Sequence, residues 1–347
     1  MSDVVKPGVL DGLVAATDGG QTKTVTVLAD LTGWCLGAGW AGPANHINEP
    51  GGPDRCRRAV RGALAAAWQK VRQELQLPGE AEPGELPALA AAAYGMTGGN
   101  AAMAAIIRGE IKADRGVVVV HDSLTAWQAS LSGRPGVVVI GGTGSVGLAR
   151  NAAGREATSG GWGHLMGDEG SASWLAYQAL SAATRACDGR GPATLLVDEL
   201  PAAAGKKDLH ELHGWIYGEA SRSQYAGLAV AVGRAAARGD QVALSLLAVA
   251  GEHLAELALA AERAISWSGS DEPRLFSYVG GVFSAGEPVV GPFTRKIIAA
   301  VPNARVVAPR FHPVGGALLL ALQAAGVVLD EPVLRRIEET LPSVLKS

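Results

Sequence analysis

Cysteine is scarce in this chain: three in 347 residues, Cys35, Cys56 and Cys187, far apart and without a CxxC pair. That excludes a disulfide framework and a zinc knuckle built on cysteine, and it fits a reducing, cytoplasmic setting. Charge is sparse as well. Only 18% of residues are charged, the net charge is −3, and Lys and Arg are scattered. No electrostatic footprint for nucleic acid exists. No charged segment followed by an apolar core opens the sequence, so no signal peptide is expected. The most apolar long segment, Val242 to Ala261, is interrupted by Glu252, His253 and Glu256. It reads as a buried amphipathic helix, not a membrane span. The remaining composition, 48% hydrophobic, belongs to a globular protein. A chain of this length is too long for one comfortable core, so two domains are expected.

What the chain has in quantity is glycine, 47 residues, concentrated in turns after apolar runs. Asp18-Gly19-Gly20-Gln21-Thr22-Lys23-Thr24 follows Leu13 to Ala16 and leads into Val25 to Leu28. The same design recurs at Gly141-Gly142-Thr143-Gly144-Ser145, between Val137 to Ile140 and Val146 to Arg150. Two strand–glycine turn–strand units, one in each half, suggest two jaws on one polyphosphate, because glycine admits close backbone approach to an anion. Neither is a Walker A loop, since the Gly-Lys-Ser/Thr ending and the following helix are missing. Between and after these hairpins the chain alternates strands and helices. Strands are expected over 34–41, 89–94, 117–120, 275–279 and 304–308, and helices over about 53–75 and 315–325. Long Ala- and Leu-rich helices occupy 171–266, and Asn151 to Gly154 is the return turn of the second hairpin. The break between domains falls at Ser132 to Gly136, giving domains over 1–132 and 133–330 and a C-terminal helix, 330–347, placed back on the first. This is an α/β pattern with its site along the carboxyl ends of strands.

Several residues carry chemistry. Asp18 beside a phosphate loop reads as a Mg²⁺ ligand acting through water, or as the opening residue of a tight turn. Thr22 and Lys23 are placed to touch phosphate. Asp122, after His121 at the end of a buried strand, reads as a base for an attacking hydroxyl or as a helix N-cap. His121 reads as a packing or orienting residue. Gly160 to Ser171 is the densest unusual stretch: glycines, the flat face of Trp162, and the acceptors Asp168 and Glu169. Flat face plus carboxylate suits a sugar; a capped helix start with Trp162 in the core is the plainer alternative. Asn45-His46 and Thr97-Gly98-Gly99-Asn100 are turns whose side chains also suit hydroxyl or amide recognition. Gly280-Gly281-Val282 ends a strand where an adenine ring could lie against the backbone, or where a plain turn into a helix begins.

Taken in order, Asp18 to Thr24, Gly42 to His46, His121 to Leu124, Gly142 to Ser145, Gly160 to Gly163, Gly167 to Gly170, Gly280 to Val282 and His312 to Gly316 resemble the N-acetylglucosamine kinase / BadF-BadG-BcrA-BcrD ATPase family of the actin–hexokinase–Hsp70 superfamily. The resemblance implies two ribonuclease-H-like domains, each a mixed sheet with flanking helices, with the site in the cleft between them. It implies ATP and Mg²⁺ as cofactors, with Asp18 serving the metal and Gly19 to Lys23 and Gly142 to Ser145 clamping phosphates. Gly280 to Val282 would line the adenosine pocket. Asp122 would be the base on the 6-hydroxyl, and Asn45, His46, Thr97, Gly98, Thr143, Gly161, Trp162 and Asp168 would face an amino sugar, N-acetylglucosamine first, with glucosamine, glucose or another hexose as the alternative. Gln21 stands where the family has a small residue, and His121 where Asn is common. A homodimer is expected. Three rivals carry less of the pattern: an activator of an iron–sulfur dehydratase needs paired cysteines, a sugar sensor needs a signalling segment, and a glycosidase leaves both glycine loops unexplained.

Overall fold

In the computed structural model the described residues are 12–20, 22–44, 47–77, 85–267 and 273–346. The chain divides into two compact units: unit 1 holds the chain up to Gly133 and again from Pro309, and unit 2 is Arg134–Ala308.

Unit 1 opens on a meander of β1 (Val14–Gly19), β2 (Thr24–Ala29) and β3 (Cys35–Ala41), followed by α1 (Gly52–Glu74), β4 (Ala91–Met96), α2 (Ala101–Glu110), β5 (Val117–His121) and α3 (Asp122–Leu131). The sheet order is β3-β2-β1-β4-β5, antiparallel through the meander and parallel beyond β1. Its strands are apolar on both faces because helices cover both. Val14 and Ala16 face one core; Ala15, between them, faces the other with the α1 side chains Val60, Leu64 and Trp68. This is the two-residue period of a strand applied to a sheet with no wet face.

Unit 2 begins the same way with β6 (Gly136–Gly141), β7 (Ser145–Arg150) and β8 (Glu156–Gly160). Helices α4 (Ala172–Cys187), α5 (Leu196–Ala203), α6 (Leu209–Gly218), α7 (Arg222–Gly227), α8 (Ala229–Ala237) and α9 (Gln241–Arg263) follow, then β9 (Arg274–Val279), α10 (Glu287–Ala300) and β10 (Ala304–Val306). The sheet order, β8-β7-β6-β9-β10, repeats the layout of the first sheet: a meander, then two strands parallel to its first. Asn151 to Gly154 makes the expected turn, with Gly154 N–H donating to Asn151 O at 3.0 Å. The strand it leads to, β8, carries no apolar signal in sequence, since its half-exposed Glu-Ala-Thr-Ser-Gly forms a sheet edge. Helix α9 is long and apolar enough by composition to cross a membrane, yet Ala243, Leu247, Ala250, Leu254 and Ala258, spaced three or four apart, are buried in the unit 2 core.

The chain then returns to unit 1 with α11 (Pro313–Ala324) and α12 (Glu331–Lys346). A division at residue 330 would assign α11 to the second domain; instead Leu318, Leu319 and Leu322 pack on β1, β2 and β4. Helix α11 also packs closely on α3 at Gly316, where an added Cβ would fall 1.9 Å from Thr125 O. Only glycine lets the two helix backbones approach this closely. Thr340 Oγ1 of α12 accepts from Cys35 N–H at 3.0 Å, tying the last helix to the edge of the same sheet.

Candidate active site

The register of the first sheet aligns three strand ends: Gly19 opposes Met96, and Met96 opposes His121. Asp18, Thr97 and Asp122 therefore converge at the carboxyl ends of β1, β4 and β5, where open α/β sheets bind ligands. Thr97 N–H donates to Gly19 O at 2.9 Å, which fixes one loop against the other. Its hydroxyl donates to Asp122 Oδ2 at 2.6 Å.

Asp122 is not the cap of α3. His121 is, its ring Nδ1 accepting from Ser123 N–H at 3.3 Å, so Asp122 becomes the first helical residue with its carboxylate available. Asp122 Oδ1 is buried without an aligned donor, although His121 Nδ1 lies 2.8 Å away. The contact depends on the ring's proton: with Nδ1 protonated it is a charge-assisted donor to Asp122, and with Nδ1 bare it accepts from Ser123 N–H instead. Burial alone would push the Asp122 pKa up; the proximity of His121, the Thr97 hydroxyl and the Ser123 N–H outweigh it and hold the carboxyl below its ordinary value. In return Asp122 raises the pKa of His121.

Asp18 behaves oppositely. Its pKa is pushed up to about 7, first by burial, then by the negative charge of Asp122, with Lys23 acting the other way. Two buried carboxylates that repel each other form a natural seat for a cation. Among the described residues no cluster of three or more His, Cys, Asp or Glu could hold a metal alone. A single carboxylate with a neighbour fits Mg²⁺, which keeps its waters and takes substrate phosphates as ligands. The loop after Asp18 closes with Gly20 N–H donating to Lys23 O at 2.9 Å, and leaves Thr22 and Lys23 exposed. Burial and then the charge of Lys23 lower the pKa of His312, so this N-cap of α11 belongs to the same neighbourhood, a role its sequence motif did not reveal. Gly98 follows Thr97 with φ +65°. Gln21, Asn45 and His46 lie outside the described residues.

In unit 2, Gly142 to Ser145 is held from behind by the segment that starts α4. Ala172 N–H donates to Gly142 O at 2.9 Å, and Ser173 donates to Thr143 O through its hydroxyl at 2.7 Å. Ser145 N–H donates to Asp168 Oδ1 at 3.1 Å, and Ser145 Oγ donates to Glu169 O at 2.9 Å. Ser145 is thus spent on the fold, while the N–H groups of Thr143 and Gly144 donate to no acceptor among the described residues. Adjacent free N–H groups in a turn make an anion nest. Asp168, buried and in the left-handed region at φ +60°, is also paired with Arg222 Nη2 at 2.8 Å. The cap of α4 is Ser171, not either acid. Trp162 is 71% exposed and fills no core, and its neighbour Gly161 has φ +76°. Gly280, at φ +107°, brings the end of β9 onto the nest: an added Cβ would lie 2.4 Å from Gly141 O and 3.0 Å from Gly142 N. Gly281 follows it, while the Val282 side chain points into the core of unit 2. Arg222 sits in the helical insertion at the start of α7, where no sequence motif marks it.

These arrangements have relatives. The family model for BadF/BadG/BcrA/BcrD ATPases matches residues 17–321. An N-acetylmuramic acid/N-acetylglucosamine kinase of Clostridium acetobutylicum is 26% identical over 314 residues, covering 89% of this chain and 97% of that protein. An N-acetyl-D-glucosamine kinase of Dictyostelium discoideum is 28% identical over 317 residues, covering 88% and 97%. Among solved structures, a candidate N-acetylglucosamine kinase of Chromobacterium violaceum superposes with a TM-score of 0.68 at 27% identity, over 90% of this chain and 99% of that one. The match begins beside Asp18, runs past the His312 to Gly316 turn and spans the loops described in both units, and this chain belongs to the BadF/BadG/BcrA/BcrD ATPase family.

Proposed function

We propose that this chain is an ATP-dependent sugar kinase that phosphorylates the 6-hydroxyl of an amino sugar, with N-acetylglucosamine, which the names of both curated relatives carry, as its substrate. The observation that carries the reading is Asp122: a carboxylate kept ionised at a strand end, with one oxygen steered by Thr97 and the other without an aligned donor. In the reaction the sugar O6–H gives its proton to Asp122 while O6 forms a bond to the γ-phosphorus and the bond to the ADP oxygen breaks. His121, at 2.8 Å, stabilises the Asp122 anion before the transfer when its ring is protonated. The free N–H groups of Thr143 and Gly144, with Thr22 and Lys23, serve the phosphates, and Gly280 and Gly281 leave backbone for the adenosine. Asp18 would hold Mg²⁺ through water, and the metal when bound neutralises charge on the phosphates. Trp162, Gly161, Gly98 and Asp168 are proposed on the sugar side, Asp168 acting with its Arg222 partner.

The cysteines weigh against a cluster-bearing activator. Cys35 and Cys56 are buried in unit 1, and burial pushes the Cys35 thiol up to about 12, the wrong direction for a metal-binding thiolate.

A coupled ADP-release assay across hexoses and N-acetylated amino sugars tests the reading, and release stimulated by none of them would sink it. Asp122→Asn is expected to lower turnover about 10²- to 10⁴-fold, with a smaller change in sugar affinity. Near-normal turnover in that variant would leave Asp122 outside the chemistry.

A further inference from the structure

Behind the Gly167-Asp168-Glu169-Gly170 turn, within unit 2, lies a cavity of about 470 Å³ lined by His164, Leu165, Gly167, Ser173, Trp174, Tyr177, Ile216, Ala220, Arg222 and Tyr225. We propose that it recognises a carboxylate-bearing substituent of the amino sugar, with Arg222 as the anion-binding side chain. The inference rests on the sugar-kinase reading.

Three observations point to an anion. First, Arg222 is under-used. Its Nη2 donates to Asp168, but its Nε–H is buried with no partner. A buried donor on a cation without an acceptor is a standing cost that a ligand oxygen removes, and the planar guanidinium suits a carboxylate better than a lone carbonyl. Second, among the described residues the lining holds cationic and neutral side chains, the exposed His164 among them, and the acids nearest to it are Asp168, already paired with Arg222, and Glu169, whose Oε2 lies 3.5 Å from a Cβ built on Gly167. The Tyr225 hydroxyl, its pKa pushed up to about 12 by burial and the neighbouring Tyr177 and Tyr217, stays protonated as a further donor. Third, Trp174, Ile216 and the tyrosine rings make the walls apolar, and a charge-assisted hydrogen bond gains strength in such surroundings. The volume falls in the range of sites for small organic ligands.

The cavity also adjoins the reaction machinery. Ser173 in its wall donates to Thr143 O at 2.7 Å, and Asp168, which holds Arg222 on one side, accepts from Ser145 N–H on the other. A substituent lodged on Arg222 therefore sits one residue away from the phosphate loop, where it can decide which sugar is held productively.

The test compares N-acetylglucosamine, N-acetylmuramic acid, which carries a carboxylate on an ether arm, and the methyl ester of the latter, which has the same arm without the charge. The wild-type chain is expected to phosphorylate the acid with a KM at least about ten-fold below that of the ester, the scale of one hydrogen bond to a charged group. Arg222→Gln is expected to lower kcat/KM for the acid relative to N-acetylglucosamine by about ten- to a hundred-fold, and Arg222→Lys to recover part of that ratio. If Arg222→Gln does not fold, Tyr177→Glu at the exposed wall decides in its place, since its added charge should repel the acid and spare the ester. Phosphorylation of N-acetylglucosamine with equal KM for acid and ester, or an Arg222→Gln variant slowed equally on both sugars, would overturn the inference while leaving the kinase reading intact. Phosphorylation of no sugar would remove both.

Discussion

Asp122 and Asp18 are neighbours with opposite electrostatic fates, and the difference lies in their partners. Asp122 has the Thr97 hydroxyl, the Ser123 N–H and His121 to offset its burial; Asp18 has only Lys23 against burial and a second carboxylate. Thr97 is therefore a positioning residue for the base. Replacing it by Val removes the donor 2.6 Å from Asp122 Oδ2 while keeping the branched shape. The Asp122 pKa, now held low, should rise toward its ordinary value. The acid limb of the pH–kcat/KM profile should then move to higher pH, because the base is protonated earlier as pH falls. Turnover above that limb is expected to drop about ten-fold, the scale of one hydrogen bond to a charged group. An unmoved profile with only the sugar KM raised would place the Thr97 hydroxyl on the sugar instead of on Asp122.

At the scale of elements, the insertion that carries Arg222 depends on how α9 is started. Asp240 caps that helix by accepting from Ala243 N–H at 2.8 Å, and it also accepts from Leu195 N–H at 2.6 Å and Thr194 Oγ1 at 3.0 Å, so one carboxylate ties α9 to α5. Burial pushes its pKa up, and these donors together bring it below its ordinary value. Asp240→Ala should cost about 1–2 kcal/mol in urea unfolding at neutral pH, the usual scale of a lost N-cap. A depressed folded pKa gives stability that is complete above the unfolded carboxylate pKa and disappears as pH falls through the folded one. The gap between wild type and variant should accordingly close in acid; a gap that persists there would mean that Asp240 acts through packing and not through charge. Nothing in Gly239-Asp240-Gln241 as sequence reveals the link to Leu195, because a cap looks the same whether it holds one helix or two. The glycine loops were legible for the opposite reason: they end apolar runs, and the strand period fixes where those runs stop. β8 was invisible as a strand since an exposed edge needs no apolar face, and α11 could not be assigned to its unit from sequence because its partner β1 lies some three hundred residues earlier. The same distance effect hid Arg222 and His312, whose chemistry comes from residues far along the chain.

At the scale of the molecule, two sheets of one layout are completed differently. Unit 2 draws its five strands and its core from one continuous stretch, Arg134–Ala308. Unit 1 takes its strands from the start of the chain, but one face of its sheet is covered by α11 and α12 from the end. Val14, Ala16, Val25, Val27 and Ala91 would be bare without Leu318, Leu319, Leu322, Ile337 and Leu341. Burial of such side chains is the main favourable term in folding, worth roughly 1.5–3 kcal/mol for each large one. Residues 134–308 made alone should therefore give a monodisperse species with a cooperative thermal transition in circular dichroism. Residues 12–133 made alone should aggregate or bind a hydrophobic dye, and a fusion that appends 309–347 through a flexible linker should restore a soluble, cooperatively melting unit. A stable fragment 12–133 would show that α11 and α12 are an ornament on a sheet that closes without them. A failed fragment 134–308 would show that the second sheet, despite its continuity in sequence, needs the first to fold.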